Sequence, residues 1–535
     1  MLKSFFVLKL SGRKIVKNKY SVSQTFKQSL INGEIVRLAE NQLLDTILEI
    51  RGFDLSEYNN LLSKKKKLML RKTNLKNIEK LSKLIEDINY SLYCNEIINV
   101  EFEDERQYMA ILKNGGFEYN GLKYVRFLAS AGMVRKKTIM FCVDYLKEEL
   151  TKKLQCGIDF SQYKIVPSKY NAYFSLSSSS GKKVSTPKLA VVKDLEVEKN
   201  IELYTMYEQS YGIDPELILE DTIQKINLFD GQGLISPNKA QEWAIELGLD
   251  YVPSVFIIRS AWMKGIVITF DFHEYANKYG VDYFTDYYGN KVDIDEVDVI
   301  VSESQFKLAG AYKSTFDYLS AIEKYNFSFR VTRTTPKKDK DFSRLTYQYV
   351  QAIDWKDVHT LCEPTINHIS NLRYDADSIL DFVLGEIDID DIDINWFTKL
   401  DDYYSKCLLL EPHLVKNKSF QQHFYRYYKN KIQESFQGIL RCDGNYQFVL
   451  SDPVAQCQHI LGMNVTGELK SKENYSSFWN NKGIDKVSCL RSPMTGKSEK
   501  VTLNLVDKSN MYENIYSGIV LNIYDDTLMR LSGAD

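Results

Sequence analysis

The sequence lacks the cysteine and histidine spacings that mark metal and redox centres. Its eight cysteines are never two to four residues apart, so no zinc ribbon, zinc knuckle or redox pair is indicated. Its six histidines are scattered and form no His-Glu-x-x-His motif. We therefore expect reduced thiols in a reducing compartment.

Long apolar runs are missing too. The run Phe5–Leu8 is followed at once by Lys9, which leaves it too short for the core of a signal peptide. No apolar run approaches the length of about 18 residues that a membrane helix needs. We expect a soluble, cytoplasmic protein with no membrane partner.

Net charge is small, but its distribution is uneven. The 535 residues carry 69 Lys and Arg against 71 Asp and Glu, a net charge of -2. Residues 1–150 hold 26 basic and 18 acidic residues, whereas the rest of the chain holds 43 and 53. A basic N-terminal third indicates a polyanionic partner. The overall composition is that of a globular chain with several domains.

Apolar periodicity divides the chain into alternating helical and β-rich regions. Helical spacing predicts helices over residues 34–98 and again over 345–435. The segment Phe117–Tyr124 predicts a hairpin, with Asn120-Gly121 as its tight turn. From residue 226, short β-branched runs predict strands, and Ser236-Pro237 predicts the start of a helix over 237–247. From 438 to the end the pattern is again β-like.

Three charged runs have two readings each. The acidic runs at Asp388–Asp393 and Asp293–Asp298 could hold a metal, but they lack the glycine and terminal glutamate of an EF-hand loop, so we interpret them as solvated turns. The run Lys64–Lys67 is interpreted as a solvated helix face, with phosphate binding as the alternative.

Four short motifs follow one another in the first β-rich region. They are Asp230-Gly231-Gln232-Gly233, Pro253-Ser254 through Arg259, Met263-Lys264-Gly265, and Ser304-Gln305-Phe306-Lys307. This order resembles the first barrel of the RNA-silencing RNA-dependent RNA polymerases and their bacteriophage relatives.

The C-terminal β-rich region carries a second resemblance. Leu490-Arg491-Ser492-Pro493 is similar to the Arg-x-Pro element that precedes the catalytic loop in these enzymes. Leu531–Asp535 resembles the opening of that loop, which the family completes with Phe-Asp-Gly-Asp or a close variant. We expect the chain to be a fragment, the product of a split gene or a degenerate copy, because it stops at the first aspartate of the loop. The passages at 126–135 and 438–459 are also similar to phage members.

The resemblance implies an α+β fold with two double-psi β-barrel domains, separated and preceded by helical regions, the second barrel being incomplete. The implied domains are a basic helical N-terminal region at 1–110, a mixed α/β linker domain at 111–200, the first β-barrel domain at 201–335, a helical connector at 336–435, and the truncated catalytic β-barrel domain at 436–535.

The resemblance also implies a set of site residues. Two Mg²⁺ ions held by loop aspartates would stabilise the attacking and leaving oxygens of phosphodiester synthesis, and Asp535 matches the first of these metal ligands. Lys264 and Lys307 would neutralise charge on the triphosphate as catalytic residues. Arg491 and Arg259 would bind the nucleotide. As alternatives, each lysine is a surface residue and Arg491 pairs with a carboxylate.

We expect the chain to be the N-terminal portion of a single-chain RNA polymerase that takes nucleoside triphosphates and a DNA or RNA template, DNA being favoured. It would act in the cytoplasm of a bacterium or a phage-infected host, and a second chain could supply the remaining part. The alternatives are a non-catalytic nucleic-acid-binding protein that retains the polymerase scaffold, and a structural protein with accidental motif matches.

Overall fold

The computed structural model describes residues 4–17, 29, 32–52, 93–207, 216–339, 342–346, 354–371, 378–379, 403–491 and 499–532. Within these ranges the fold is a mixture of several sheets and helices, which confirms the α+β prediction. The described residues group into two compact units. Unit 1 comprises Met1–Lys337, Leu450–Ser477 and Val506–Asp525, and unit 2 comprises Lys338–Val449, Phe478–Leu505 and Asp526–Asp535.

The strands of the described residues are, in chain order, β1 Ser4–Ser11, β2 Ile35–Ala39, β3 Tyr93–Glu101, β4 Phe117–Tyr119, β5 Leu122–Leu128, β6 Thr138–Val143, β7 Lys182–Val184, β8 Leu189–Val192, β9 Glu196–Tyr207, β10 Glu216–Asn227, β11 Gln232–Ile235, β12 Val255–Ser260, β13 Met263–Thr269, β14 Tyr283–Thr285, β15 Lys291–Asp293, β16 Val299–Ser302, β17 Phe329–Thr334, β18 Phe342–Thr346, β19 Ile439–Asp443, β20 Val449–Ser451, β21 Asn474–Tyr475, β22 Lys486–Leu490, β23 Lys500–Asn504 and β24 Ile519–Leu521.

The α-helices of the same ranges are α1 Gly12–Val16, α2 Gln42–Ile50, α3 Glu105–Lys113, α4 Ala131–Arg135, α5 Asp144–Leu154, α6 Pro167–Phe174, α7 Pro237–Leu247, α8 Phe272–Lys278, α9 Thr315–Lys324, α10 Trp355–Asn371, α11 Tyr403–Leu410, α12 Lys418–Phe436, α13 Pro453–Ile460, α14 Ser477–Asn480 and α15 Thr527–Ser532. None of the described helices combines the length and the apolar character that crossing a bilayer requires.

Unit 1 begins with a six-stranded sheet in the order β2-β1-β3-β6-β5-β4. Both of its faces are buried, as β6 illustrates: Phe141 and Val143 pack with one apolar cluster, whereas Met140 and Cys142 pack with the other. A strand covered on both sides needs apolar residues at consecutive positions, which explains the run Ile139–Val143.

The second sheet of unit 1 has seven strands in the order β7-β17-β12-β13-β11-β16-β8. The pairs β11-β13 and β16-β8 are parallel, and the other pairs are antiparallel. Helix α7 packs beside this sheet. Its predicted start is confirmed, since the Ser236 hydroxyl accepts a hydrogen bond from the backbone N–H of Lys239 and Pro237 occupies the first turn.

Unit 2 contains helices α10, α11 and α12, the pair β18-β19 and the hairpin β22-β23. Each of the three helices confirms the helical prediction for the part of residues 345–435 that it occupies. The antiparallel register of the hairpin pairs Leu490 with Lys500. The acidic run Asp388–Asp393 lies outside the described residues.

The helical prediction for residues 34–98 is confirmed in one part and wrong in two. Gln42–Ile50 is a helix, capped by the Asn41 side chain, which accepts a hydrogen bond from Leu44 N at 3.0 Å. Ile35–Ala39 and Tyr93–Glu101 are strands, because pairing with β1 satisfies their backbone groups and overrides the three-residue spacing of their apolar positions. The run Lys64–Lys67 lies outside the described residues.

The β-like prediction from residue 438 onward is correct for β19 to β24 and wrong at three helices, α13 Pro453–Ile460, α14 Ser477–Asn480 and α15 Thr527–Ser532. Helix α13 is the longest of the three. Two signals for this helix were present in the sequence: Asp452 caps the first turn by accepting from Val454 N, and Pro453 follows it. The predicted hairpin at Phe117–Tyr124 is confirmed, with Phe117 paired to Tyr124. The domain boundaries remain predictions.

Candidate functional site

The hairpin formed by β12 and β13 places two of the predicted site residues side by side. Arg259 lies opposite Lys264 in the antiparallel register, and only Ala261 and Trp262 separate the two strands. Trp262 closes the turn with a left-handed backbone (φ 59°), while its indole N–H donates to the carbonyl of Gln155 at 3.1 Å. The turn is therefore fixed from outside the sheet, and with it the start of β13.

Lys307 comes to the same edge of the hairpin through backbone pairing. Its N–H donates to the carbonyl of Trp262 at 2.9 Å, and the N–H of Lys264 donates to the carbonyl of Gln305 at 3.1 Å. Met263 and Phe306 form the bridge between these two bonds. The third and fourth motifs are thus neighbours in space although some forty residues separate them in the chain.

The electrostatics of Lys264 show that these cations influence one another. The pKa of Lys264 is lowered, first by partial burial and then by the positive charges of Lys307 and Arg259, whereas Asp230 opposes the shift. Burial also lowers the pKa of the Arg259 guanidinium. The Nε atom of Arg259 is buried and has no hydrogen-bond partner among the described residues. An anion at this position would offset the repulsion between the cations and would accept a hydrogen bond from Arg259 Nε.

The glycines of two motifs make room for one buried amide. Gln305 is fully buried; its Oε1 accepts from Ser302 N at 2.9 Å, and its Nε2 donates to Ile266 O at 2.8 Å. A Cβ at Gly233 would lie 2.6 Å from Gln305 Oε1 and would overlap the carbonyl oxygen of Ile300. A Cβ at Gly265 would lie 2.5 Å from the carbonyl oxygen of Gly231 and would overlap Gln305. Only glycine fits at either position.

We expect Gly233→Ala to destabilise the protein by about 1–3 kcal/mol, because backbone atoms that cannot rotate away surround the new methyl group. A lower urea midpoint with an unchanged m-value would confirm it. Gly132→Ala is the matched control: Gly132 lies in α4, and only Ser130 Oγ, at 3.9 Å, is near its Cβ position. The control should stay within about 0.5 kcal/mol of the wild type. Equal midpoints for the two variants would contradict this account of Gly233.

The Asp230-Gly231 turn is joined to the fourth motif by a short hydrogen-bonded chain. Gly231 has a left-handed backbone (φ 68°), and its N–H donates to Ser304 Oγ at 2.9 Å. The Ser304 hydroxyl in turn donates to Asp194 Oδ1 at 3.0 Å. Gly231 also accepts from Ile266 N at 2.9 Å. These bonds hold the turn beside the cationic residues.

Sequence reasoning missed two buried positioning residues in these motifs. The Gln232 side chain donates to Ser451 O at 3.0 Å and to Gln456 Oε1 at 2.9 Å, and it accepts from Ser451 N at 2.8 Å. The Ser254 hydroxyl accepts from the backbone N–H of Tyr516 at 3.0 Å. Both contacts join partners more than 200 residues apart, so no local pattern could reveal them.

Of the remaining predicted site residues, Arg491 belongs to unit 2. Arg491 follows β22 directly, and its Nη1 lies 4.0 Å from Glu499 Oε1. This supports the alternative that Arg491 pairs with a carboxylate, although its side chain is still 37% exposed. Ser492, Pro493 and Asp535 lie outside the described residues.

A metal site is not formed by the part of the chain that the structure describes. No group of three or more His, Cys, Asp or Glu side chains there is arranged to hold an ion. In the run at 293–298, Asp293 accepts from Asp295 N at the start of a short 3-10 helix, which agrees with the interpretation of the run as a turn. Asp298 accepts from the backbone N–H of Lys188, which is distant in the chain. The residues described here therefore do not by themselves fit the implied Mg²⁺.

Comparison with known proteins bears on the clustered motifs. The family model for RNA-dependent RNA polymerase matches residues 84–333, a range that contains all four motifs. The DNA-directed RNA polymerase YonO of Bacillus phage SPbeta is 26% identical over 427 residues, which cover 77% of this chain and 47% of the relative. The RNA-dependent RNA polymerase QDE-1 from Thielavia terrestris matches in structure with a TM-score of 0.47 and 13% identity, over 82% of this chain and 48% of that one.

The family-model match and the similarity to YonO confirm the resemblance read from the sequence. The chain is similar to polymerases of the RNA-dependent RNA polymerase family over residues 84–333. Among the relatives with which it can be aligned is the phage polymerase YonO. The chain spans about half the length of the relatives it matches.

Proposed function

We propose that this chain contributes the triphosphate-binding half of an RNA polymerase that joins nucleotides along a nucleic acid template. The observation that carries the proposal is the convergence of Arg259, Lys264 and Lys307 at one edge of a sheet, with a lowered Lys264 pKa and an unpartnered Arg259 Nε. Three cations held this close repel one another unless a polyanion joins them, and a triphosphate is such a polyanion.

In this proposal the chain's own residues bind and orient the nucleotide. The ammonium groups of Lys264 and Lys307 offset charge that develops on the phosphate oxygens, and Arg259 donates from its fixed position in β12. The Asp230-Gly231 turn and the buried Gln305 hold these residues in register. Mg²⁺ would stabilise the attacking and leaving oxygens, with Asp535 as the ligand that this chain offers. Arg491 would bind the ribose or phosphate of the incoming nucleotide.

We further propose that the seven-stranded sheet of unit 1 is the first double-psi β-barrel of the family and that residues 436–535 carry part of the second. The mixed parallel and antiparallel pairing of the seven strands supports this proposal. A DNA template is favoured, because the phage relative is described as DNA-directed. The proposed polymerase does not include a second chain, since nothing in the comparisons supports one.

The test is template-directed incorporation by the natural polypeptide that carries this sequence. Labelled nucleoside triphosphates should be incorporated into RNA on a single-stranded DNA template when Mg²⁺ is present, and EDTA should abolish incorporation. Incorporation on RNA alone would correct the template assignment. Salt-dependent strand binding with no incorporation on either template would reject the polymerase and favour a non-catalytic nucleic-acid-binding protein.

A further inference from the structure

Helix α12 presents a continuous row of uncovered side chains. The row consists of Lys418, Gln422, Tyr425, Lys429, Ile432 and Phe436, all exposed. Their spacing alternates between four and three residues, which places all six on one face of the helix. We call this row the basic-aromatic stripe. Tyr425 is 64% exposed and Phe436 is 86% exposed.

The opposite face of α12 anchors the helix in unit 2. Phe424 is buried there in a small apolar cluster with Leu408 and Val415, and Phe420 and Tyr428 pack against it. The helix therefore has one face for packing and one for solvent. Large aromatic side chains on the solvent face gain nothing from the described fold, so they point to a ligand.

The charge of α12 restricts the class of that ligand. The helix holds four basic residues, Lys418, Arg426, Lys429 and Lys431, against one acidic residue, Glu434. Arg426 is exposed next to the stripe, and no Asp or Glu is among the exposed positions of this helix. A surface that combines exposed cations with exposed aromatic rings is typical of sites for unpaired nucleic acid.

We propose that the basic-aromatic stripe binds a single-stranded segment of nucleic acid. Tyr425 and Phe436 stack on unpaired bases, and Lys429, Lys418 and Arg426 contact the phosphates. The two rings lie eleven residues apart, about 16 Å along the helix axis, which a stacked strand of about five nucleotides spans. A duplex is a poorer ligand, because its base faces are already stacked.

This inference rests on the proposed function for the identity of the polymer and for nothing else. It concerns binding rather than synthesis, so it can be measured without nucleoside triphosphates or Mg²⁺. Loss of incorporation with intact strand binding would reject the proposed function and leave the stripe standing. Incorporation that persists while the stripe variants bind normally would do the reverse.

The experiment is fluorescence anisotropy with the natural polypeptide in EDTA. The probes are labelled 15-nucleotide dT and rU strands and a 15-base-pair duplex. The double variant Tyr425→Ser/Phe436→Ser should bind the single strands at least about tenfold more weakly and the duplex within about twofold of the wild type, because stacking is lost and charge is kept. The variant Arg426→Gln/Lys429→Gln should reduce the magnitude of the salt slope for single strands by about 1.4, since each phosphate contact contributes about 0.7.

Helix α5 offers a matched control on unit 1. It exposes Tyr145 (70%) and the lysines Lys147 and Lys152, but its acidic residues balance its basic ones. Tyr145→Ser and Lys147→Gln/Lys152→Gln should bind all three probes like the wild type.

The proposal is overturned if the aromatic double variant binds single strands as tightly as the wild type. If its thermal midpoint then also falls by several degrees, the stripe is a packing surface for another part of the polypeptide.

Discussion

Lys264→Ala and Lys307→Ala should each lower kcat/KM for nucleotide incorporation by about 10²–10³-fold, the loss seen when one preorganised group that stabilises transition-state charge is removed. Both residues stand at the same edge of the β12-β13 hairpin, and the pKa of Lys264 already registers the charge of Lys307. Because they act on one triphosphate, the double variant should lose less than the product of the two single losses. Steady-state incorporation with a fixed template and varied nucleotide concentration gives these values.

Controls separate a lost charge from a lost fold. Lys264 lies at the sheet edge with its side chain open to solvent, and its charge is repelled by Lys307 and Arg259, so its replacement should not lower the thermal midpoint. Lys264→Arg should recover part of the activity by restoring the charge. Lys313→Ala removes an exposed lysine of the same unit outside the four motifs and should keep full activity. Activity within about threefold of the wild type in both Lys264→Ala and Lys307→Ala would show that neither lysine contacts the triphosphate.

Local signals in the sequence were sufficient to predict elements whose ends are determined by interactions between neighbouring residues. Helix α7 is an example, since Ser236 and Pro237 determine its first turn without help from the rest of the chain. The motif series gave the candidate cations Arg259, Lys264 and Lys307, and the structure brings these three together.

Long-range contacts explain what sequence reasoning could not predict. Ile35–Ala39 becomes a strand because β1 pairs with it. The pattern of apolar positions three residues apart within this segment cannot reveal that partner. The supporting roles of Gln232 and Ser254 depend on Ser451 and Tyr516, which lie in segments that join unit 1 only after folding. A segment whose conformation depends on such partners shows no sequence periodicity or motif from which that conformation could be predicted.

Asp452→Ala should destabilise unit 1 strongly, by about 3 kcal/mol or more. The side chain of Asp452 is fully buried, and its two oxygens accept four hydrogen bonds: Oδ1 from Val454 N and Tyr512 OH, Oδ2 from Glu468 N and Leu469 N. Removing the carboxylate leaves several buried donors unpaired, at about 1–3 kcal/mol each. The thermal midpoint of the variant, or the failure of the protein to accumulate, would show this loss.

The pH dependence of Asp452→Asn gives a second measurement that does not require the alanine variant to fold. Burial raises the pKa of Asp452, although its four hydrogen bonds oppose the shift. The folded state therefore holds this proton more tightly than the unfolded state, so the contribution of Asp452 to stability is largest below the ordinary aspartate pKa of about 3.9 and falls as pH rises through the folded pKa. The stability of the wild type relative to Asp452→Asn should increase as pH is lowered from neutrality.

Asp525 provides the comparison, because its pKa moves the other way. Partial burial alone would raise the pKa, but hydrogen bonds from Asn522, Ser471 and the backbone of Lys472, together with the charge of Lys199, bring it below the usual range. Its contribution is present above the ordinary pKa and is lost as pH falls through the folded pKa, so the stability of the wild type relative to Asp525→Asn should decrease on acidification. Thermal midpoints of the wild type and both variants between pH 7 and about pH 2 test this pair, because the contribution of Asp525 is lost only below the ordinary aspartate pKa of about 3.9. Parallel pH profiles for the two variants would contradict the account of Asp452, because burial raises the pKa of Asp452 whereas hydrogen bonds and Lys199 lower the pKa of Asp525, so the two profiles should have opposite slopes.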